Sequence, residues 1–177
     1  MSLTAGDDVV LVDQNDVVVG RCGKLEAHLN PGTRHRAFSV VVFDRMDRVL
    51  LQRRAATKYH FGGRWSNSCC GHPRPDEQIV VAATRRLGQE MGFEVPLAPA
   101  HSFEYRAEDL ASGLVEHEID HVMRGRAVDI VVQPSPDEVD DWIWIDRESL
   151  ESWVLDRPQE FTPWFPSVMQ CVWDGAP

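Results

Sequence analysis

The chain has 177 residues, with 28 acidic against 18 basic side chains and a formal net charge of −10. That length fits one domain able to bury a core without disulfides or a structural metal. A hydrophobic fraction of 43% with six Trp and seven Phe excludes a disordered chain. The acidic balance argues against a general nucleic-acid binder, so an anionic ligand must be met by a local basic cluster.

No apolar run reaches the about 20 residues that a membrane helix needs. The opening Met1-Ser2-Leu3-Thr4-Ala5-Gly6-Asp7-Asp8 lacks the pattern of a signal peptide. A cytoplasmic monomer with no membrane or nucleic-acid partner is the expectation. Cys22, Cys69, Cys70 and Cys171 show no C-x-x-C spacing, which argues against a zinc knuckle and for reduced thiols.

In chain order, Val9–Val12 and Val17–Val19 flank the turn-prone Asp13-Gln14-Asn15-Asp16 and predict a β-hairpin ended by Gly20. Lys24 to Leu29 predicts a short helix stopped by Asn30-Pro31-Gly32. Ala37–Phe43 and Val49–Gln52 predict strands around a turn, and residues 53–68 read as a loop rich in Arg and aromatics. Helical spacing of Ile79, Val80, Ala83 and Leu87 predicts a helix over Glu77–Met91, with Asp76 as N-cap and Gly92 as the stop. Phe103–Arg106, Val115–Gly125 and Trp142–Ile145 predict further strands, and Arg147–Leu155 and Thr162–Val172 two further helices. With no repeat or linker, the whole chain 1–177 reads as one domain of the α/β or α+β class.

Histidines and carboxylates point to a divalent metal. His28 and His35 flank the Asn30-Pro31-Gly32 turn, His72 follows Cys70-Gly71, and Glu116-His117-Glu118 lies in a predicted strand. Alternation puts Glu116 and Glu118 on one face. Imidazoles with carboxylate oxygens suit Zn²⁺ or Mn²⁺. Spacing alone leaves open a solvated strand face with scattered surface histidines.

Gly71, Glu77, Arg85, Leu87, Glu90, Gly92 and Phe93 have the spacing of the Nudix box, a loop–helix–loop that binds a metal–diphosphate. Arg86 stands where the hydrolases carry Glu, and Gln89 replaces the first of their paired carboxylates. A box so altered points to binding a diphosphate without cleaving it. A pyrophosphohydrolase with a degenerate box is the alternative enzyme, and a metal- or nucleotide-binding module without chemistry is a third reading.

Trp65-Ser66-Asn67-Ser68-Cys69-Cys70-Gly71-His72-Pro73, with Arg53-Arg54-Ala55 before it, Glu116-His117-Glu118 after it and Thr162-Pro163-Trp164 near the end, resembles the type I isopentenyl-diphosphate isomerases. The resemblance runs from about His28 to Trp164. It implies a Nudix-type mixed β-sheet sandwiched by helices, with a core over 33–167 and an N-terminal hairpin and short helix, 1–32, contributing to the site. It implies interconversion of isopentenyl and dimethylallyl diphosphate by proton addition and removal on opposite faces of the alkene, in isoprenoid precursor biosynthesis.

Carried over residue by residue, the resemblance makes His28, His35, His72, Glu116 and Glu118 the ligands of one divalent metal: Mn²⁺ or Zn²⁺, with Mg²⁺ also admitted. Cys70 and Glu118 become the acid/base pair, Tyr105 the hydrogen-bond partner of Glu118, and Trp164 the indole face for a developing cation. Lys24, Arg54, Lys58 and Arg86 match the diphosphate-contacting positions. A Mg²⁺ travelling with the substrate diphosphate falls to Glu90 and Cys70.

Overall fold

Residues 8–173 are described by a computed structural model. The reading of the first residues as no signal segment falls on 1–7, outside the described residues apart from Asp8. The predicted hairpin forms from β1 (Asp8–Val12) and β2 (Val18–Gly23), which pair antiparallel. The Asp13 carboxylate accepts the backbone N–H groups of Asn15 and Val17 and so closes the turn between them. The short helix α1 (Lys24–His28) follows.

β3 (His35–Phe43) is buried along nearly its whole length, because helices cover both of its faces. β4 (Val49–Arg54), β5 (Trp65–Ser66) and β6 (Cys69–Gly71) come next. The expectation of a loop over 53–68 needs correction: Arg53 pairs with Trp65, and Gln52 with Ser66. Too few residues lie in β5 for alternation to show in the sequence. β6 pairs with β3, so Cys70 sits in a strand rather than in a loop.

α2 spans Ile79–Met91, and its N-cap is Gln78 instead of Asp76. Asp76 takes a left-handed φ of 66° in the preceding turn, and the Glu77 carboxylate is committed to Arg85 and to the backbone N–H of Arg74. The predicted stop holds. Gly92 lies at φ 77° and donates its N–H to the carbonyl of Gly88 at 3.1 Å. A Cβ there would run into the backbone carbonyl of Gln133. Gly92→Ala is therefore expected to cost at least about 1 kcal/mol. A thermal melt should register that as a fall of about 2–4 °C or more, and an unchanged midpoint would refute it.

β7 (Leu97–Asp109), β8 (Leu114–Arg126) and β9 (Val139–Ile145) all extend beyond their predicted bounds. β7 alternates between half-buried and exposed positions for most of its length, which is why its apolar signal was confined to a short stretch. α3 (Arg147–Asp156) is capped by Asp146, whose carboxylate accepts the Ser149 N–H at 2.9 Å. The last helix, α4 (Phe165–Trp173), begins three residues later than the predicted Thr162. Thr162 and Pro163 form the turn that delivers Trp164.

The strands build one mixed sheet. β8 runs parallel to β3 and antiparallel to β7, while β9 pairs with β4. α2 covers one face through Ala82, Ala83, Leu87 and Met91 against Phe38, Val40 and Val42. α3 and α4 cover the other through Leu150, Phe165, Val168 and Met169 against Val41, Val49 and Leu51. Among the described residues no helix is long and apolar enough to cross a membrane.

Candidate active site

Strand register creates the site. His35 of β3 pairs with Glu118 of β8, and Tyr105 of β7 lies directly opposite the same Glu118. Three residues far apart in sequence thus share one row across three strands. Alternation along β8 places Glu116, Glu118 and Asp120 on the face toward α4, and β6 brings Cys70 against Ser39 of the neighbouring strand. The solvated-face reading of Glu116 and Glu118 fails, since they are only 3% and 5% exposed.

His28, His35, His72, Glu116 and Glu118 converge, with one nitrogen or oxygen from each lying within 4.8 Å of the others. The ring orientations say what the cluster is built to receive. His28 Nδ1 faces the Lys24 carbonyl at 2.6 Å and His35 Nδ1 faces the Thr33 carbonyl at 2.8 Å. A carbonyl only accepts, so each Nδ1 carries a hydrogen and each Nε2 is the nitrogen turned into the cluster. Those nitrogens meet carboxylates: His28 Nε2 lies 2.9 Å from Glu116 Oε2, and His35 Nε2 lies 3.2 Å from Glu118 Oε1 and 3.1 Å from His72 Nε2. His28 Nε2 and Glu116 Oε2 are buried and make no hydrogen bond. Imidazole nitrogens and carboxylate oxygens gathered around one point could hold a cation, and N/O donors of this kind suit a divalent metal. The donor set therefore fits the expected ion.

Burial opposes protonation of His28, but the Glu116 hydrogen bond and charge outweigh it and raise that imidazole. Burial drives the His72 imidazole down to about 3, and the Glu118 hydrogen bond only partly opposes it, which keeps the ring neutral. Burial opposes ionisation of Glu116, but the His28 and His60 imidazoles outweigh it and hold that carboxyl well below its usual range.

Tyr105 donates to Glu118 Oε2 at 2.5 Å, and burial followed by the Glu118 charge raises the phenol well above its normal range. Cys70 donates to Asn67 Oδ1 at 3.3 Å, while Ser39 Oγ lies 3.5 Å from its sulfur. Burial pushes the Cys70 thiol up to about 11. That sharpens the sequence reading: Cys70 rests as a thiol holding its proton, and not as an activated thiolate. All four cysteines are free.

Trp164 is buried beside Tyr105 and Phe61, with ring centroids at 5.9 and 5.4 Å. The Arg54 guanidinium lies 5.6 Å from its ring centre, so the indole already holds a cation. The β4–β9 register shifts here, with Arg53 opposite Asp141 and Arg54 opposite Val139.

The other basic residues gather nearby. Lys24 feels both Arg86 and Arg54, although burial is what lowers its pKa most. Lys58 and Arg86 both pair with Glu138, and Arg86 also pairs with Glu90. Gln52 donates to the second Glu90 oxygen at 2.9 Å. Arg86 thus occupies the box position where a hydrolase would place a water-activating carboxylate, and it neutralises the Glu90 carboxylate that remains.

Three residues at the site had not been singled out. Asp120 accepts from Ser39 Oγ at 2.7 Å, and burial raises it well above its normal range; as the third member of the Glu116–Glu118 alternation it was open to the same argument. Glu138 sits in an irregular segment without periodicity. His60 pairs with Glu116 from the loop after β4, where spacing gives no signal.

The NUDIX domain model matches residues 33–165. The structure resembles that of DR0079 from Deinococcus radiodurans (TM-score 0.74, 19% identity, covering 93% of this chain and 99% of that one). It also resembles the MutT protein from Methanosarcina mazei Go1 (TM-score 0.63, 18% identity, 77% and 91% covered). At these identities the likeness concerns the fold. The sequence is 49% identical over 166 residues to isopentenyl-diphosphate Delta-isomerase 2 of Aromatoleum aromaticum, covering 94% of this chain and 86% of that protein. It is 48% identical over 162 residues to the isopentenyl-diphosphate Delta-isomerase of Burkholderia multivorans, covering 92% and 90%. Nudix architecture, a box that keeps only one of its paired carboxylates and this identity along nearly the whole chain agree, and the chain belongs to the isopentenyl-diphosphate Delta-isomerase family.

Proposed function

We propose that the chain interconverts isopentenyl and dimethylallyl diphosphate, as a cytoplasmic monomeric enzyme supplying isoprenoid precursors, with Cys70 and Glu118 as the two proton-transferring groups. The terminal alkene carbon takes a proton and leaves a tertiary cation at the branched carbon. The CH₂ between that carbon and the diphosphate-bearing one then gives up a proton, and the double bond moves with no net change in atoms. One of the pair supplies the proton and the other removes it, and the reverse reaction exchanges the roles.

The observation that carries this reading is the pair of hydrogen-bonded proton carriers on one sheet face: the Cys70 thiol on Asn67, and the Glu118 carboxylate on Tyr105 at 2.5 Å. The Trp164 face and the Tyr105 ring are the π surfaces beside them that would stabilise the cation. His28, His35, His72, Glu116 and Glu118 would hold Mn²⁺ or Zn²⁺, with Mg²⁺ also admitted. That charge tunes the acidity of the carboxyl that moves the proton. Lys24, Arg54, Lys58 and Arg86 would take the diphosphate oxygens. A Mg²⁺ accompanying the diphosphate prefers oxygen donors, which makes Glu90 its fitting partner here and leaves the Cys70 thiol to proton transfer. Hydrolysis is disfavoured because Gln89 offers no carboxylate and Arg86 stands where a hydrolase carries Glu.

Incubation with isopentenyl diphosphate in deuterated water should give dimethylallyl diphosphate carrying solvent deuterium in a methyl group, read by NMR. Release of inorganic phosphate or pyrophosphate without that product would support the hydrolase alternative instead.

A further inference from the structure

We infer that His60 is a positioning residue of the metal centre: it grips one oxygen of Glu116 so that the other is presented to the cation. The inference rests on the five-residue metal reading and goes beyond it, since His60 is outside that ligand set.

The geometry divides the two Glu116 oxygens cleanly. Oε2 faces His28 Nε2 at 2.9 Å inside the cluster and makes no hydrogen bond, whereas Oε1 is paired with His60 Nε2. A carboxylate only accepts, so His60 Nε2 carries the hydrogen and is a donor, not a lone pair offered to a metal. His28 and His35 show the opposite arrangement, with Nδ1–H on a backbone carbonyl and Nε2 turned toward the carboxylates of the cluster. A carboxylate ligand held at its outer oxygen by a buried imidazole N–H is kept ionised and oriented, so it loses little rotamer freedom on binding. His60 is only 6% exposed, so little water competes for that oxygen.

The loop is built to hold this ring in place. Phe61, the next residue, sits at φ 47°, a left-handed conformation unfavourable for an aromatic. Its N–H donates to Asp109 Oδ2 at 3.1 Å, and its ring packs edge-on against Trp164 at 5.4 Å. Those contacts fix the backbone direction that turns His60 inward. The His60 carbonyl also accepts from Arg54 Nη2 at 3.2 Å. One residue therefore ties a candidate diphosphate-binding cation to a candidate metal ligand, and the loop that receives the diphosphate also orients the metal site.

Calorimetric titration with Mn²⁺ of the wild type, His60→Leu, His60→Gln and Glu116→Ala tests this. A glutamine amide can donate from near the Nε2 position, and leucine cannot. His60→Leu is expected to bind one Mn²⁺ about 10–100-fold more weakly, His60→Gln to recover most of that loss, and Glu116→Ala to fall further. Wild-type affinity in His60→Leu would overturn the inference while leaving the metal reading intact. A His60→Gln variant as weak as His60→Leu would overturn the donor role. A wild type that binds no Mn²⁺ would remove the metal reading and this inference with it. Should His60→Leu fail to fold, His60→Asn, whose amide stops short of Glu116, replaces it in the comparison.

Discussion

Cys70→Ala is expected to lower turnover of isopentenyl diphosphate by about 10²–10⁴-fold, the range a positioned acid or base contributes, with the Michaelis constant close to that of the wild type. The thiol touches Asn67 and Ser39 and makes none of the ion pairs among the basic residues that would hold the diphosphate, so binding should survive its loss. Its truncation removes one half-buried sulfur and leaves the β3–β6 pairing in place, which makes a folding defect a poor explanation for lost activity. Glu118→Gln should lose as much or more, because Glu118 serves the metal cluster and the Tyr105 contact at once. Metal content separates the two effects. A Gln variant that keeps its metal and loses turnover isolates the proton-transfer role. Tyr105→Phe, which removes a hydrogen bond and leaves the carboxylate, should fall between these variants and the wild type. Cys70→Ala retaining more than about a tenth of wild-type turnover would end the two-group mechanism, since the Brønsted contribution assigned to it would be missing.

Where side chains repeat with the element, the sequence was legible. The α2 helix, the β8 strand and the Gly92 stop each rest on a local pattern, and the structure contains all three. The Asp76 cap was misread because two carboxylates compete at that helix start, and Glu77 is spent on Arg85. The loop over 53–68 was misread because a two-residue strand such as β5 is specified by its partner, not by its own alternation. Site residues divide in the same way. Glu116 and Glu118 could be paired from their spacing, but His35 reaches them only through the parallel β3–β8 register, which no local window contains. The family resemblance supplied that link. It supplied nothing for His60, whose place depends on the Phe61 backbone and the Asp109 contact 48 residues away. Cys70 could be singled out from its motif, but its resting protonation could not, because that depends on burial by elements distant in sequence.

Adding Mn²⁺ or Zn²⁺ to metal-stripped protein is expected to raise its melting point by about 5–10 °C at a free concentration of about 100 times the dissociation constant. A ligand that binds only the folded chain contributes RT ln(1 + [L]/Kd), about 2.7 kcal/mol at that ratio, and a chain of this size shifts by about 2–4 °C per kcal/mol. The folded state has reason to respond. His28 Nε2 faces Glu116 Oε2 at 2.9 Å and His35 Nε2 faces Glu118 Oε1 at 3.2 Å in a buried site. A divalent cation would draw on all of these donors at once, and the unfolded chain holds no such convergence. Glu116→Ala should abolish the response by removing a donor without disturbing the β3–β8 pairing that carries the others. The same protein treated with excess chelator should return to the lower midpoint, and re-addition of the metal should restore both midpoint and turnover. A melting point indifferent to Mn²⁺, Zn²⁺ and chelator alike would mean that protons, not a metal, fill the cluster, and the acid/base chemistry assigned to Glu118 would then have to proceed without a cation to tune it.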